Sequence, residues 1–265
     1  MVETVQNQVP ELTGEVLLYT KPEPLSKELH GALGVKQTDT PFAFAKAAHV
    51  APLTVTEFAL AALSFPVIFV GDTRQPVAVL GLNSGENLFT DASGVWDFDA
   101  YVPAYVRRYP FVLAEDKGAD RMIVCIDRAA PMISDKPDAP FFDKGEPTDL
   151  TTNAIEFCNN YETERRRTDS FVELLKTLDL FDVKESTYTP RGADGVEGAP
   201  QRIAEYFAVS EEKLNKLPAD KLVELRDNGA LQQIYAHLTS LIGWDRLIVK
   251  AMTRANNAVP VAANS

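Results

Sequence analysis

The stretch from Phe65 to Phe111, FPVIFVGDTRQPVAVLGLNSGENLFTDASGVWDFDAYVPAYVRRYPF, decides how the chain is read. Residues 67–70 and 77–82 are β-branched and aliphatic, and 71–76 (GDTRQP) is turn material, so the stretch predicts an antiparallel hairpin. Neither run alternates apolar with polar positions. That pattern predicts strands covered on both faces, and so a hairpin at the centre of its sheet.

Working outward, Thr54 and Glu57 stand three apart, the spacing of a capping box. They predict a helix with Phe58, Ala61 and Ala62 on its apolar face, stopped by Pro66. Upstream, 16–19 reads as a short strand and 25–33 as one or two helical turns carrying His30. Downstream, 87–90 reads as another strand, with 91–94 as its turn and Trp96 beyond. Pro103 opens a short helix to Tyr109. Residues 111–114 and 122–126 form a second hairpin around 116–118. The Pro- and Asp-rich segment 127–147 reads as a long loop and the best internal boundary.

Helical spacing then dominates. Ala154, Cys158 and Tyr161 share a face, and Phe171, Leu174, Leu175 and Leu178 follow i, i+3, i+4, i+7. Two strands at 183–188 and 202–209 flank a Gly-rich segment, 190–200, expected to be a mobile surface loop. Ser210 is placed to cap a helix, and Pro218 opens the next, with Leu222 and Leu225 inward. Asn228-Gly229 ends it, and a last helix carries Leu231, Ile234, Tyr235, Leu238 and Leu241, with His237 at its boundary. The tail after Arg254 has no pattern. The expected fold is α+β: an antiparallel sheet core from the N-terminal half, supplied mainly by 67–126, packed against C-terminal helices. The expected organisation is one domain over residues 1–265, frayed at 1–14 and 255–265, with a sub-boundary near 127–147.

Composition narrows function. The net charge is −12, so nucleic acid is not an expected partner. The one dense basic run, Arg165-Arg166-Arg167, reads as a solvated helix face. No window approaches the roughly 18 apolar residues of a spanning helix, and the first fifteen residues do not resemble a secretory leader. The expected compartment is the cytoplasm, with non-classical export to the cell surface as the alternative. Cys125 and Cys158 sit in apolar contexts and read as core thiols, with their pairing open. The three histidines, His30, His49 and His237, show no metal-ligand spacing, and no cofactor or metal is expected. Gly81 to Gly85 follows a strand without a Lys-Ser/Thr pair, so it reads as a turn rather than a phosphate cradle.

One constellation stands out. Asn83, Glu86 and Asn87 would face Tyr101, Tyr105, Arg107, Arg108 and Tyr109 if the chain doubles back through Gly94. Arginine holds a carboxylate in a two-pronged contact, and tyrosine gives an apolar wall with a polar tip. The group therefore suits a peptide or another carboxylate-bearing ligand. The structural alternative pairs an arginine with Glu86 and uses the tyrosines to close the core. Adjacent arginines tend to point to different faces, so one of the two is expected to serve the site, partly buried against Glu86 or facing a pocket.

The hairpin FPVIF…PVAVLGL, the GENLF segment and the Trp followed by YVPAYVRRYPF resemble the bacterial SapC family. The F-D-x-x-G-E-P piece beginning at Phe142 and the later DNGALQQIYAHLTSL fit as well, and the resemblance runs from about Leu29 to Leu247. It implies association with a paracrystalline bacterial surface layer, hence self-assembly. It brings no catalytic residues. A non-catalytic binding or surface-layer-associated protein is the first expectation. The second is a cytoplasmic enzyme or accessory protein acting on a peptide or amino-acid-like ligand.

Overall fold

A computed structural model describes residues 17–116, 121–189 and 198–258. Val67–Val70 and Gln75–Val79 pair antiparallel around a turn at 71–74, in which Gly71 and Arg74 both take positive φ. This hairpin occupies the middle of a five-stranded sheet. Gln201–Val209 and then Phe181–Tyr188 lie on one side of it, and Val50–Pro52 on the other. Val67, Phe69 and Val79 are all buried, as their unalternating run predicts.

The hairpin of Phe111–Asp116 and Arg121–Asp127 corrects the single-sheet expectation. It joins Pro22–Pro24 in a separate three-stranded sheet. The segment expected as a loop, 127–147, is folded too. Its short strands Ile133–Ser134 and Ala139–Pro140 flank Gly34–Val35, and Phe142–Asp143 pairs with Glu146–Pro147. Gly34 has no room for a side chain, because a Cβ there would stand 2.2 Å from the Ala139 carbonyl oxygen. Two smaller expectations also fail. Residues 17–20 form a turn rather than a strand, and 87–90 is a turn tied to Trp96 by one bridge from Thr90. Most of the 190–200 segment falls outside the described residues.

A helix of 29 residues, Asp149–Thr177, runs from the hairpin at 142–147 to Phe181–Tyr188 of the five-stranded sheet. Its length of about 43 Å lets it serve two apolar clusters in turn. Cys158 packs with Leu33, Phe111, Ile126 and Phe141 in the smaller cluster, while Phe171, Val172 and Leu175 belong to the larger one under the five-stranded sheet. Both cysteines are free and buried, and burial pushes each thiol up to about 11, so both stay protonated at neutral pH. On the outer face, Arg165 pairs with Glu162 and Asp169, Arg166 with Glu162, and Arg167 with Glu164, the laced solvated face that the sequence suggested.

Four helices close the fold: Glu211–Asn215, Ala219–Asp227, Ala230–Ser240 and Gly243–Ala258. Ser210 caps the first through Lys213 N. The last runs past the point where the sequence reads as frayed. Its Arg254 donates to the carbonyls of Asn87, Leu88 and Thr90 and fixes that turn. His237 is not a boundary residue. It is fully buried, with Nδ1 donating to Val67 O at 2.8 Å and Nε2 accepting from Val209 N at 3.1 Å. Ser240, one turn on, accepts from Val67 N and donates to His237 O. These two side chains satisfy backbone groups at the seam where Gln201–Val209 meets Val67–Val70 in register only at Phe207 and Phe69.

Candidate functional site

Pro103 precedes a single helical turn, Ala104–Arg107, and the chain bends at Arg108. Successive residues on a helix are about 100° apart rather than opposed, so both arginines line one cleft, against the expectation that only one would. The cleft has a volume of about 590 Å³. Its walls come from three places: 35–38 with Pro41, 107–111 with Met132, and the face of the long helix bearing Leu150, Asn153, Ala154 and Phe157.

The two guanidinium groups are held differently. Arg107 is exposed, lies over the Phe157 ring at 5.4 Å, and donates from Nε to Val102 O and from Nη2 to the Tyr101 hydroxyl. Tyr101 in turn donates to Glu57 Oε1 at 2.9 Å. Glu57 is buried. Besides Tyr101 it accepts from Ala104 N and, through Oε2, from the Thr54 backbone and hydroxyl. The capping-box glutamate is therefore also the buried anchor under the arginine helix. Arg108 is half-buried, with its guanidinium 4.1 Å from the Tyr105 ring centre, 4.5 Å from that of Tyr161 and 5.7 Å from that of Tyr19. Its Nε is buried without a hydrogen-bond partner, and among the described residues it forms no ion pair. Burial pushes Tyr19, Tyr105 and Tyr161 above the ordinary phenol range, so they are neutral around Arg108. The Tyr19 and Tyr105 hydroxyls donate to the carbonyls of Phe111 and Leu17. The ring cage surrounds the charge without neutralising it.

Tyr109 closes one end of the cleft. Its ring stacks on Phe44 at 3.8 Å, and its hydroxyl donates to Asp127, a buried carboxylate that also accepts from Thr20, Lys21 and Ala129 N–H groups. Lys36 adds a third cation to the lining, and among the described residues no aspartate or glutamate lines it.

The Asn83–Asn87 segment is elsewhere. Asn83 donates to Glu86, and Glu86 pairs with neither arginine among the described residues, which corrects its expected role as the arginine partner. Asn87 is buried with its amide committed to Ala45 O and Phe89 N. The chain does turn at Gly94, but there it meets Phe42 and Ala43, which a Gly94 Cβ would touch at 2.7 Å. The turn at Gly81 needs glycine for another close approach, 2.0 Å between a Cβ and Glu86 O. Structure thus brings together Tyr101, Tyr105, Arg107, Arg108 and Tyr109 and leaves out Asn83, Glu86 and Asn87.

A larger cavity, about 780 Å³, lies between the last helix and the 88–97 loop. Its cations are already committed: Lys250 to Asp97, Arg246 to Asp99 and Leu63 O, Lys46 to Ala92 O, and Arg254 to three carbonyls. The cleft beside Arg108 keeps unspent positive charge.

The segments that form the cleft, from Val35 to Phe157, fall within the residues 25–247 that match SapC. The chain belongs to the SapC family. Every described strand except Pro22–Pro24, the long helix and the helix bearing His237 lie inside the SapC match, which ends within the last helix. No curated protein matches this SapC chain, and no solved structure does. Among the described residues no helix is long and apolar enough to cross a membrane.

Proposed function

We propose that this SapC-family protein is a non-catalytic binding protein, and that the cleft beside Arg108 takes a carboxylate-bearing ligand. The observation that carries this is the lining: Lys36, Arg107 and Arg108 with no acidic residue among the described ones, set in largely apolar walls. The half-buried Arg108 guanidinium sits among neutral rings with no acidic partner among the described residues, so an anion beside it in the cleft is electrostatically favoured. Binding rather than turnover is favoured because the described lining residues include no histidine, cysteine or carboxylate to act as nucleophile or general base. The fluorescent anion 8-anilinonaphthalene-1-sulfonate is the first probe. It should bind saturably, one per chain, and Arg108→Gln should weaken it about tenfold or more, the worth of a charge-assisted hydrogen bond. Equal binding by parent and variant would remove Arg108 from the site.

Assembly into a surface layer is the second reading, and exposed apolar side chains favour it. Leu60 and Leu63 are 54% and 72% exposed, and Ile242 is 75% exposed. The Arg246–Leu63 O bond joins the segments that carry them. Sedimentation should show concentration-dependent self-association that Ile242→Lys abolishes; a monomer throughout counts against this reading.

A further inference from the structure

We infer that the ligand is an apolar monocarboxylate with no ammonium group beside its carboxylate, an inference that rests on the binding reading above. The anionic end is set by three cations of the lining: the Arg107 guanidinium, of which Val102 O and Tyr101 occupy only part, the half-buried Arg108, and Lys36. A free amino acid carries its ammonium one carbon from its carboxylate. In this cleft that charge would face three cations and, among the described residues, no acid, a like-charge arrangement that weakens binding. An acylated amine removes the conflict and keeps the carboxylate. Beyond the cations the walls are apolar. Leu150, Ala154 and Phe157 follow i, i+4, i+7 on one helix face, with Met132 on another wall. About 590 Å³ accommodates one acyl chain or one aromatic side chain with its linkage. A peptide ending in an apolar residue and a free fatty acid present this same chemistry.

Calorimetric titration of the full chain with four probes separates the cases. N-acetyl-L-phenylalanine stands for a peptide C-terminus and decanoate for a fatty acid. L-Phenylalanine restores the ammonium, and N-acetyl-L-phenylalanine amide removes the carboxylate. At least one of the first two should bind about tenfold or more tighter than phenylalanine and than the amide. The tighter of the two names the source. Arg108→Gln should weaken that probe, and Lys36→Gln, an exposed substitution that leaves the fold alone, should weaken it by a smaller factor. Phenylalanine binding as tightly as its acetylated form would overturn the ligand class while leaving the site in place. The amide binding as tightly as the acid, or no carboxylate binding at all, would overturn both.

Discussion

Replacing Glu57 with alanine is expected to lower the melting temperature by roughly 10 °C, the shift that about 3–5 kcal/mol produces in a chain of this size. The magnitude follows from what is left behind. Thr54 N, Ala104 N and the Thr54 and Tyr101 hydroxyls all donate to this one buried carboxylate, and alanine supplies no acceptor for any of them. Glu57→Gln keeps the shape but turns an NH2 group toward one pair of donors, so it should recover only part of the loss. Burial, then the neighbouring Glu57, push the Tyr101 hydroxyl up to about 12, so it remains a donor at neutral pH. Through Tyr101 the change also frees Arg107, and the anionic probe should bind more weakly to whatever folded protein remains. An alanine variant that melts with the parent would mean these hydrogen bonds contribute nothing net.

The second large effect is a pH dependence from His237. Burial lowers its pKa from 6.5 to about 4, with the bond to Val67 O opposing the shift. Nδ1 must carry the proton for Val67 O, and Nε2 must be bare to accept from Val209 N, so the ring is neutral in the fold. The folded pKa is depressed. Its stabilisation is therefore fully present above about 6.5 and is lost as pH falls toward 4, because the unfolded chain takes up a proton that the fold refuses. The loss across that window is about 3 kcal/mol. Other groups titrate there too, so the readout is a difference. His237→Gln can satisfy the same two backbone groups without titrating. Denaturant unfolding at about pH 7 and about pH 4 should show the parent losing about 3 kcal/mol more than the variant. Parallel losses would mean that the ring is already protonated or reaches solvent.

How much of this was legible depends on whether the signal is local. The central hairpin was, because β-branched runs around a polar turn need no partner to be recognised. The caps at Thr54 and Ser210 and the faces of the long helix were legible for the same reason. Sheet membership was not: residues 111–127 announce strands, but their partner Pro22–Pro24 is a Pro-Glu-Pro segment with no strand signature. The last helix is hard to read from sequence because, among its residues of described burial, Trp244 and Leu247 are the buried apolar ones while Val249 and Met252 are exposed, which blurs the period. In the site, the tyrosines and arginines between 101 and 109 were found because they are neighbours in sequence. Lys36 and Phe157 come from distant segments. Glu57 could be read as a cap but not as the anchor of Tyr101. Asn83, Glu86 and Asn87 were misgrouped because the turn at Gly94 delivers the chain to Phe42 rather than to the tyrosines.

If ligand sits in the cleft lined by Arg107 and Arg108, the methionines report on it directly. The chain has four, and Met132 alone among Met122, Met132 and Met252 lines the cleft. In protein labelled with 13C at the methionine methyl groups, titration with N-acetyl-L-phenylalanine or decanoate, whichever binds tighter, should move the Met132 signal along a saturating curve and leave Met122 and Met252 in place. Saturable binding with Met132 unmoved would put the ligand elsewhere and contradict the account.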